Sequence, residues 1–211
     1  MYKTGVSEII SKGQSSISST KKLVKKILLL ILLFQTSAFS QDLGKAYFAG
    51  GCFWCMEESF ESAEGVSEVI SGYSGGITEN PTYEEVTYGT TGHFETIEII
   101  YDKNKTNYKN LLDLFWKNID PFDAKGQFCD KGYSYRSVSF YENEEQKDLI
   151  EKSIQKLEKK FNKKIVTYVK KFDKFYRAED KHQNYYEEKF LNYMRYKEAC
   201  GREETLNKIW N

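Results

Sequence analysis

At 211 residues, 40% of them hydrophobic and 16% aromatic, the chain can build one ordinary folded domain plus an appendage, which excludes disorder as the default. Its formal net charge of zero is a composite: residues 1–40 hold most of a cationic surplus, six Lys against one Glu, so the remainder is mildly acidic. An acidic body without clustered cations excludes nucleic acid as the expected partner.

In chain order, Lys21, Lys22, Lys25 and Lys26 precede the apolar run from Ile27 to Phe34, and Ala38-Phe39-Ser40 then offers small residues at the spacing a signal peptidase reads. The pattern predicts a signal peptide over residues 1–40 cleaved after Ser40. The protein is therefore expected to be exported, periplasmic or otherwise extracytoplasmic, touching the membrane only through that signal; an uncleaved anchor is the alternative. Residues 41–211 read as a single domain, expected to be monomeric, because no linker, repeat or low-complexity stretch follows Lys45 and only Pro81 and Pro121 interrupt it.

Ala46-Tyr47-Phe48-Ala49 predicts a short buried strand, and Gly50-Gly51 a tight turn into a helix that shows Phe53, Met56, Phe60 and Ala63 on one face. A second strand is expected over Gly65–Tyr73, a turn-rich loop over Thr78–Gly92 and a third strand over His93–Tyr101. Thr106 is placed to cap a helix carrying Tyr108, Leu111, Leu112, Phe115 and Ile119, which must end before Pro121. A loop to Gly132, a strand over Tyr135–Tyr141, a helix capped by Asn143 with Ile150, Ile154, Leu157 and Phe161 inward, and a strand over Ile165–Val169 follow. The order β-α-β-β-α-β predicts an α+β fold: a ferredoxin-like split βαβ core, a two-layer sandwich, with a C-terminal helical extension and an irregular tail. Fold leaves function open, so the chemistry must be read from the site.

Cys52 falls at the strand-to-helix junction in Gly51-Cys52-Phe53-Trp54-Cys55. A cysteine there meets the free N–H groups and positive dipole of a helix start, which favour a reactive thiolate. Cys-x-x-Cys by itself also fits thioredoxin-like exchange, half of a zinc site, or a soft-metal binder. Zinc lacks further ligands, since the histidines are His93 and His182 and Cys129 and Cys200 have no zinc-ribbon spacing; thioredoxin-like topology expects alternating βαβ units. Along the third strand Glu95 shares a face with Ile97, Ile99 and Tyr101, so burial is expected to raise its pKa and suit it to general acid work. His93 is expected to order the adjoining loop. From Gln127 to Ser137 a loop delivers Asp130, Tyr135 and Arg136, which in isolation reads as a capped turn with an Arg-Asp surface pair.

Taken together, Gly51-Cys52-Phe53-Trp54-Cys55-Met56-Glu57, Gly72-Tyr73-Ser74-Gly75-Gly76, Asn80-Pro81-Thr82-Tyr83, Thr91-Gly92-His93-Phe94-Glu95, Asp120-Pro121, Tyr135-Arg136-Ser137 and Phe175-Tyr176-Arg177-Ala178-Glu179-Asp180 with His182-Gln183 resemble the A-type methionine sulfoxide reductases. The resemblance runs from about Lys45 to the C-terminus. It implies Cys52 as nucleophile, Glu95 as proton donor, Tyr83 and Tyr135 as hydroxyl donors, Asp130 as supporting acid, and Phe53 and Trp54 as walls for the substrate methyl group. It implies reduction of methionine S-sulfoxide, free or in oxidised proteins, through a Cys52 sulfenic acid and an intramolecular disulfide recycled by a thioredoxin-like dithiol, with no metal or organic cofactor. Cys200, Cys55 and Cys129 are the resolving candidates. Departures are Phe94 between His93 and Glu95, Lys181 in place of an aromatic, and Glu198-Ala199-Cys200-Gly201-Arg202 in place of a Gly-Tyr-Cys ending.

Overall fold

A computed structural model describes residues 42–211; the signal peptide expected over residues 1–40 and its cleavage point lie outside the described residues. Six strands form one mixed sheet: β1 (Leu43–Ala49), β2 (Val66–Ser74), β3 (Phe94–Asp102), β6 (Val138–Tyr141), β7 (Tyr168–Lys171) and β8 (Phe175–Arg177). Their order across the sheet is β7-β6-β1-β3-β2-β8, antiparallel throughout except for the β6/β7 pair. A separate two-residue ladder joins β4 (Gly126–Gln127) to β5 (Asp130–Lys131).

Alternation along the strands divides the interior into two cores. Ala46, Phe48, Ile97, Ile99 and Tyr101 meet helix α1 (Phe53–Glu61), α3 (Tyr108–Lys117) and α4 (Glu144–Phe161) in the larger core, where the Phe48 and Phe115 rings stack at 4.7 Å. On the opposite face Tyr47, Ala49, Phe94, Val138 and Phe140 form a smaller core with Phe172 and Phe175, closed by Tyr47 stacked on Phe172 at 3.7 Å. Phe94 therefore points away from the face that carries Glu95, as the alternation requires.

Several expectations are corrected. The cap of α3 is Asn107, whose side chain accepts from the Asn110 N–H at 3.0 Å; Thr106 instead sits one residue too early and receives the Asn110 amide group. The stretch read as loop contains the short helix α2 (Tyr83–Thr87), started by a capping box between Thr82 and Glu85. A 3-10 turn over Tyr133–Tyr135 delays β6 to Val138, and β7 begins at Tyr168 rather than Ile165. The tail is helical rather than irregular: α5 (Tyr185–Glu188) is followed by α6 (Phe190–Cys200) and α7 (Arg202–Trp210). Gly201, at φ +65, breaks α6 from α7 in a left-handed turn that a residue without Cβ adopts at little cost.

The tail is fastened where it counts for the site. Arg202 is buried and donates to the carbonyls of Asn118 at 2.6 Å and Gly50 at 3.4 Å, with its guanidinium over the Phe128 ring at 4.5 Å. Tyr193 and Lys197 on α6 both donate to Glu58 on α1 at 2.6 Å. Cys200 at the end of α6 is disulfide-bonded to Cys129, with the Cα atoms 4.9 Å apart.

Candidate active site

The strand-to-helix turn after β1 sets the site. Gly51 adopts φ +83 and a Cβ there would lie 2.6 Å from the Gln127 side chain, so the turn demands glycine and brings the 120–130 loop against the start of α1. Gln127 is itself buried, and its side-chain amide accepts from the Asp120 backbone N–H and donates to the Asp120 carbonyl at 2.8 Å each. Cys52 then caps α1 and opens, with Phe53, Trp54, Tyr83, Glu95, Asp130, Tyr135 and Tyr196, onto a cavity of about 250 Å³.

Glu95 is 2% exposed, and its Oε2 accepts the Phe53 N–H at 3.0 Å. Burial raises its pKa well above the usual carboxylate range, outweighing that hydrogen bond and favouring the protonated form. The helix start favours a Cys52 thiolate, and local features of the structure act against it. The first N–H of α1 is engaged by Glu95, and the Cys52 side chain makes no capping bond. Burial, followed by its hydrogen bond with Cys55, pushes the Cys52 thiol up instead.

Cys52 and Cys55 are both free and buried. They behave as one dithiol: sharing a hydrogen bond with Cys52 draws Cys55 down to about 7 against its burial, helped by the Arg202 cation and the Tyr193 hydroxyl. The remaining resolving candidates, Cys129 and Cys200, are bonded to each other, Cys129 at the exposed surface.

The phenols close the far wall. Tyr83 is pushed up to about 12 and Tyr135 higher, in both cases by burial first and then by Glu95. Tyr83 is held by Glu179, whose carboxylate accepts from the Tyr83 N–H at 2.9 Å and from the Tyr73 hydroxyl at 2.8 Å. Phe53 lies beside Trp54, Tyr73, Tyr83 and His182, with the His182 ring 4.4 Å from Tyr83 and 5.8 Å from Trp54. Burial lowers the His182 pKa, so this ring joins the wall as neutral imidazole. His93 stays out of the cavity: Nδ1 accepts from the Gly76 N–H at 3.1 Å and Nε2 donates to the Thr78 carbonyl at 2.8 Å, which orders the loop as expected.

Asp130 does not pair with Arg136, which donates to the Tyr168 hydroxyl instead. Its partner is the Tyr196 hydroxyl at 2.5 Å, and burial raises its pKa even so. Tyr193, Tyr196 and Arg202 are the site residues that sequence reasoning missed. They belong to the tail, about 140 residues from Cys52, and the only signal for them was that the tail carries Cys200.

Aromatic walls around a buried thiol and a buried carboxyl of raised pKa suit an apolar, weakly basic group whose oxygen accepts a proton. The family model for peptide methionine sulfoxide reductase matches residues 44–211. The chain belongs to this family. Curated members share nearly half of its sequence: the peptide methionine sulfoxide reductase MsrA of Listeria monocytogenes is 48% identical over 172 residues, 81% of this chain and 97% of that protein. The Bacillus subtilis MsrA is 48% identical over 167 residues, 78% and 94% of the two chains. Among solved structures, methionine sulfoxide reductase A of Corynebacterium diphtheriae superposes with a TM-score of 0.64 at 28% identity, covering 71% of this chain and 76% of that one. Reduced Mxr1 of Saccharomyces cerevisiae gives 0.65 at 26% identity, over 69% and 85%.

Proposed function

We propose that the protein reduces methionine S-sulfoxide, free or in oxidised proteins, with Cys52 as nucleophile and Glu95 as proton donor. One observation carries this reading: a buried Glu95 carboxyl faces the same ring-lined cavity as the buried Cys52 thiol. The sulfoxide methyl group lies against Phe53 and Trp54, and its oxygen toward Glu95 and the Tyr83 and Tyr135 hydroxyls. The Cys52 sulfur attacks the sulfoxide sulfur as Glu95 protonates the oxygen; a thiol and a sulfoxide become a sulfenic acid and a thioether. Removing charge from the oxygen before the S–O bond breaks is the contribution a buried acid makes.

Cys55 is the resolving thiol in this reading. It lies one helical turn from Cys52, is free, and ionises near 7, while Cys129 and Cys200 occupy each other. Its sulfur attacks the sulfenic sulfur, releasing water and leaving a Cys52–Cys55 disulfide, which a thioredoxin-like dithiol then reduces. Asp130 supports the nucleophile from the loop. We further read the β6-β1-β3-β2 part of the sheet as a ferredoxin-like split βαβ core, on the strand order and antiparallel pairing given above. Residues 41–211 are the working unit, a monomer released by cleavage after Ser40 into an extracytoplasmic compartment; the basic head, apolar run and small residues of 1–40 support this, and intact-mass analysis of the exported protein tests it.

The mechanism is tested by a single turnover of Cys55→Ser with methionine S-sulfoxide in the presence of a dimedone probe. One adduct, located on Cys52, is expected. Methionine formation with no adduct on Cys52, or with the adduct elsewhere, contradicts the assignment.

A further inference from the structure

The Cys129–Cys200 disulfide lies beside the catalytic cavity and has no part in the reaction assigned above. Cys129 is exposed and Cys200 half-buried, so this pair is open to solvent while Cys52 and Cys55 are buried. Asp130 stands against it: the two sulfurs and a carboxylate oxygen of Asp130 all lie within 4.8 Å of one another. Among the described residues this is the one group of three or more His, Cys, Asp or Glu side chains whose ligand atoms come together. Two distant segments build it. Cys129 closes the turn between β4 and β5, Asp130 opens β5, and Cys200 ends α6, 71 positions after Cys129.

We propose that Cys129 and Cys200, once reduced, bind a zinc ion together with Asp130, and that the bound ion restrains the reductase. A dithiol of the class that recycles the enzyme gives two electrons to the S–S bond, becoming a disulfide while Cys129 and Cys200 become thiols. Zinc(II) then replaces the two thiol protons, which leave to solvent, and takes Asp130 as third ligand with no change in its oxidation state. Water fills the fourth position of the tetrahedron. Two thiolates and one carboxylate suit zinc over magnesium or calcium, which take oxygen ligands. The ion regulates, and no step of the sulfoxide reaction runs through it. Binding stands apart from the proposed function; the restraint rests on it.

Sulfur and oxygen ligands of a tetrahedral zinc ion stand about 3.6–3.8 Å apart, as bond lengths of about 2.1–2.3 Å require. A set already gathered within 4.8 Å encloses such an ion by side-chain rotation once the S–S bond is broken. Two neighbouring groups suit anionic sulfur. The Cys129 N–H donates to the Cys200 Sγ at 3.2 Å. Arg202, two residues past Cys200, lays its guanidinium over the ring of Phe128, the residue before Cys129, at 4.5 Å. A cation there offsets the single negative charge that three anionic ligands leave around a dication. Asp130 links the ion to the reaction, because its carboxylate lines the cavity of Cys52 and Glu95 and accepts from the Tyr196 hydroxyl at 2.5 Å. Charge that the carboxylate gives to zinc is withdrawn from that hydroxyl, and the Tyr196 ring stands edge-on to Trp54 in the cavity wall, 6.0 Å away.

The test of binding uses the full chain carrying Cys52→Ser and Cys55→Ser, which leaves Cys129 and Cys200 as its cysteines. Reduced with a phosphine, desalted without oxygen and equilibrated with zinc sulfate, it is expected to retain one zinc per chain through gel filtration, by elemental analysis. It is also expected to melt higher than the zinc-free reduced chain. The same protein with its disulfide intact is expected to retain none. Asp130→Asn, which keeps both thiols and the side-chain shape, is expected to weaken zinc affinity at least about tenfold in competition with a chromogenic chelator. A reduced chain that retains no zinc, equal retention by the disulfide form, or an unchanged affinity in Asp130→Asn overturns the site. For the restraint, one turnover of methionine S-sulfoxide by the reduced, otherwise unaltered protein is expected to slow several-fold with one equivalent of zinc, while Cys129→Ser with Cys200→Ser is indifferent to it. No slowing, or equal slowing in that variant, overturns the restraint. Absence of turnover without zinc would instead overturn the proposed function, and the binding result reads separately from it.

Discussion

Glu95 is held above the usual carboxylate range because it is buried against the start of α1, and ionising it would place a charge among rings with one N–H to compensate. Glu95→Gln preserves the shape and removes the acid, so kcat is expected to fall by about 10²- to 10⁴-fold in a steady-state assay. Stability moves the opposite way. A carboxyl whose folded pKa lies above its unfolded value of about 4.3 costs the folded state progressively as pH rises from there toward the folded pKa. Glu95→Gln is therefore expected to melt higher than the unaltered protein at pH 8 and to match it near pH 4; an equal Tm difference at both values contradicts the assignment. The positions of Cys52 at a strand-to-helix turn and of Glu95 on a buried strand face were legible from local pattern, a glycine turn into a helix and an alternating strand. The contact between the Phe53 N–H and Glu95 was not, because no local pattern encodes a pairing across 42 positions.

Among the elements, caps and clamps are the parts with separable energies. Asn107→Ala removes the side-chain acceptor at the start of α3 and is expected to cost about 1 kcal/mol in urea unfolding, against a smaller effect if Thr106 were the cap. Replacing Cys129 and Cys200 together by Ser opens a cross-link across 71 residues and is expected to cost about 2–4 kcal/mol. The same variant should still form the Cys52–Cys55 disulfide on reaction with sulfoxide, as peptide mapping reads; a sulfenic acid that persists on Cys52 would move resolution to the tail. Long elements with strong periodicity, α3, α4 and β3, could be read from sequence to within a few residues. The three-residue β8 and the tail helices could not: β8 has no period to detect, and the tail helices leave Phe190, Leu191 and Met194 exposed, so apolar spacing there does not mark a buried face.

At the scale of the whole molecule, the tail completes a site that the sheet and α1 begin. Arg202 ties α7 to the carbonyls of Gly50, at the turn before Cys52, and Asn118, at the end of α3. Arg202→Met strands those buried acceptors at about 1–3 kcal/mol each and withdraws the cation that favours the Cys55 thiolate. Reduced stability and a Cys55 alkylation midpoint raised above about 7 are expected together; a midpoint that stays put would show the cation does not act on the thiol. The order of strands and helices was visible in the sequence, while the return of the last twenty residues onto the first helix was not, since it is set by side-chain pairs such as Tyr193 with Glu58 across 135 positions.

The most direct measurement is dithiothreitol-driven reduction of a peptide carrying methionine S-sulfoxide, with the R epimer and Cys52→Ser as comparisons. Turnover of the S epimer alone, abolished in Cys52→Ser, is the predicted result. A folded, reduced protein that leaves both epimers untouched, or a Cys52→Ser variant that turns over normally, would contradict the account.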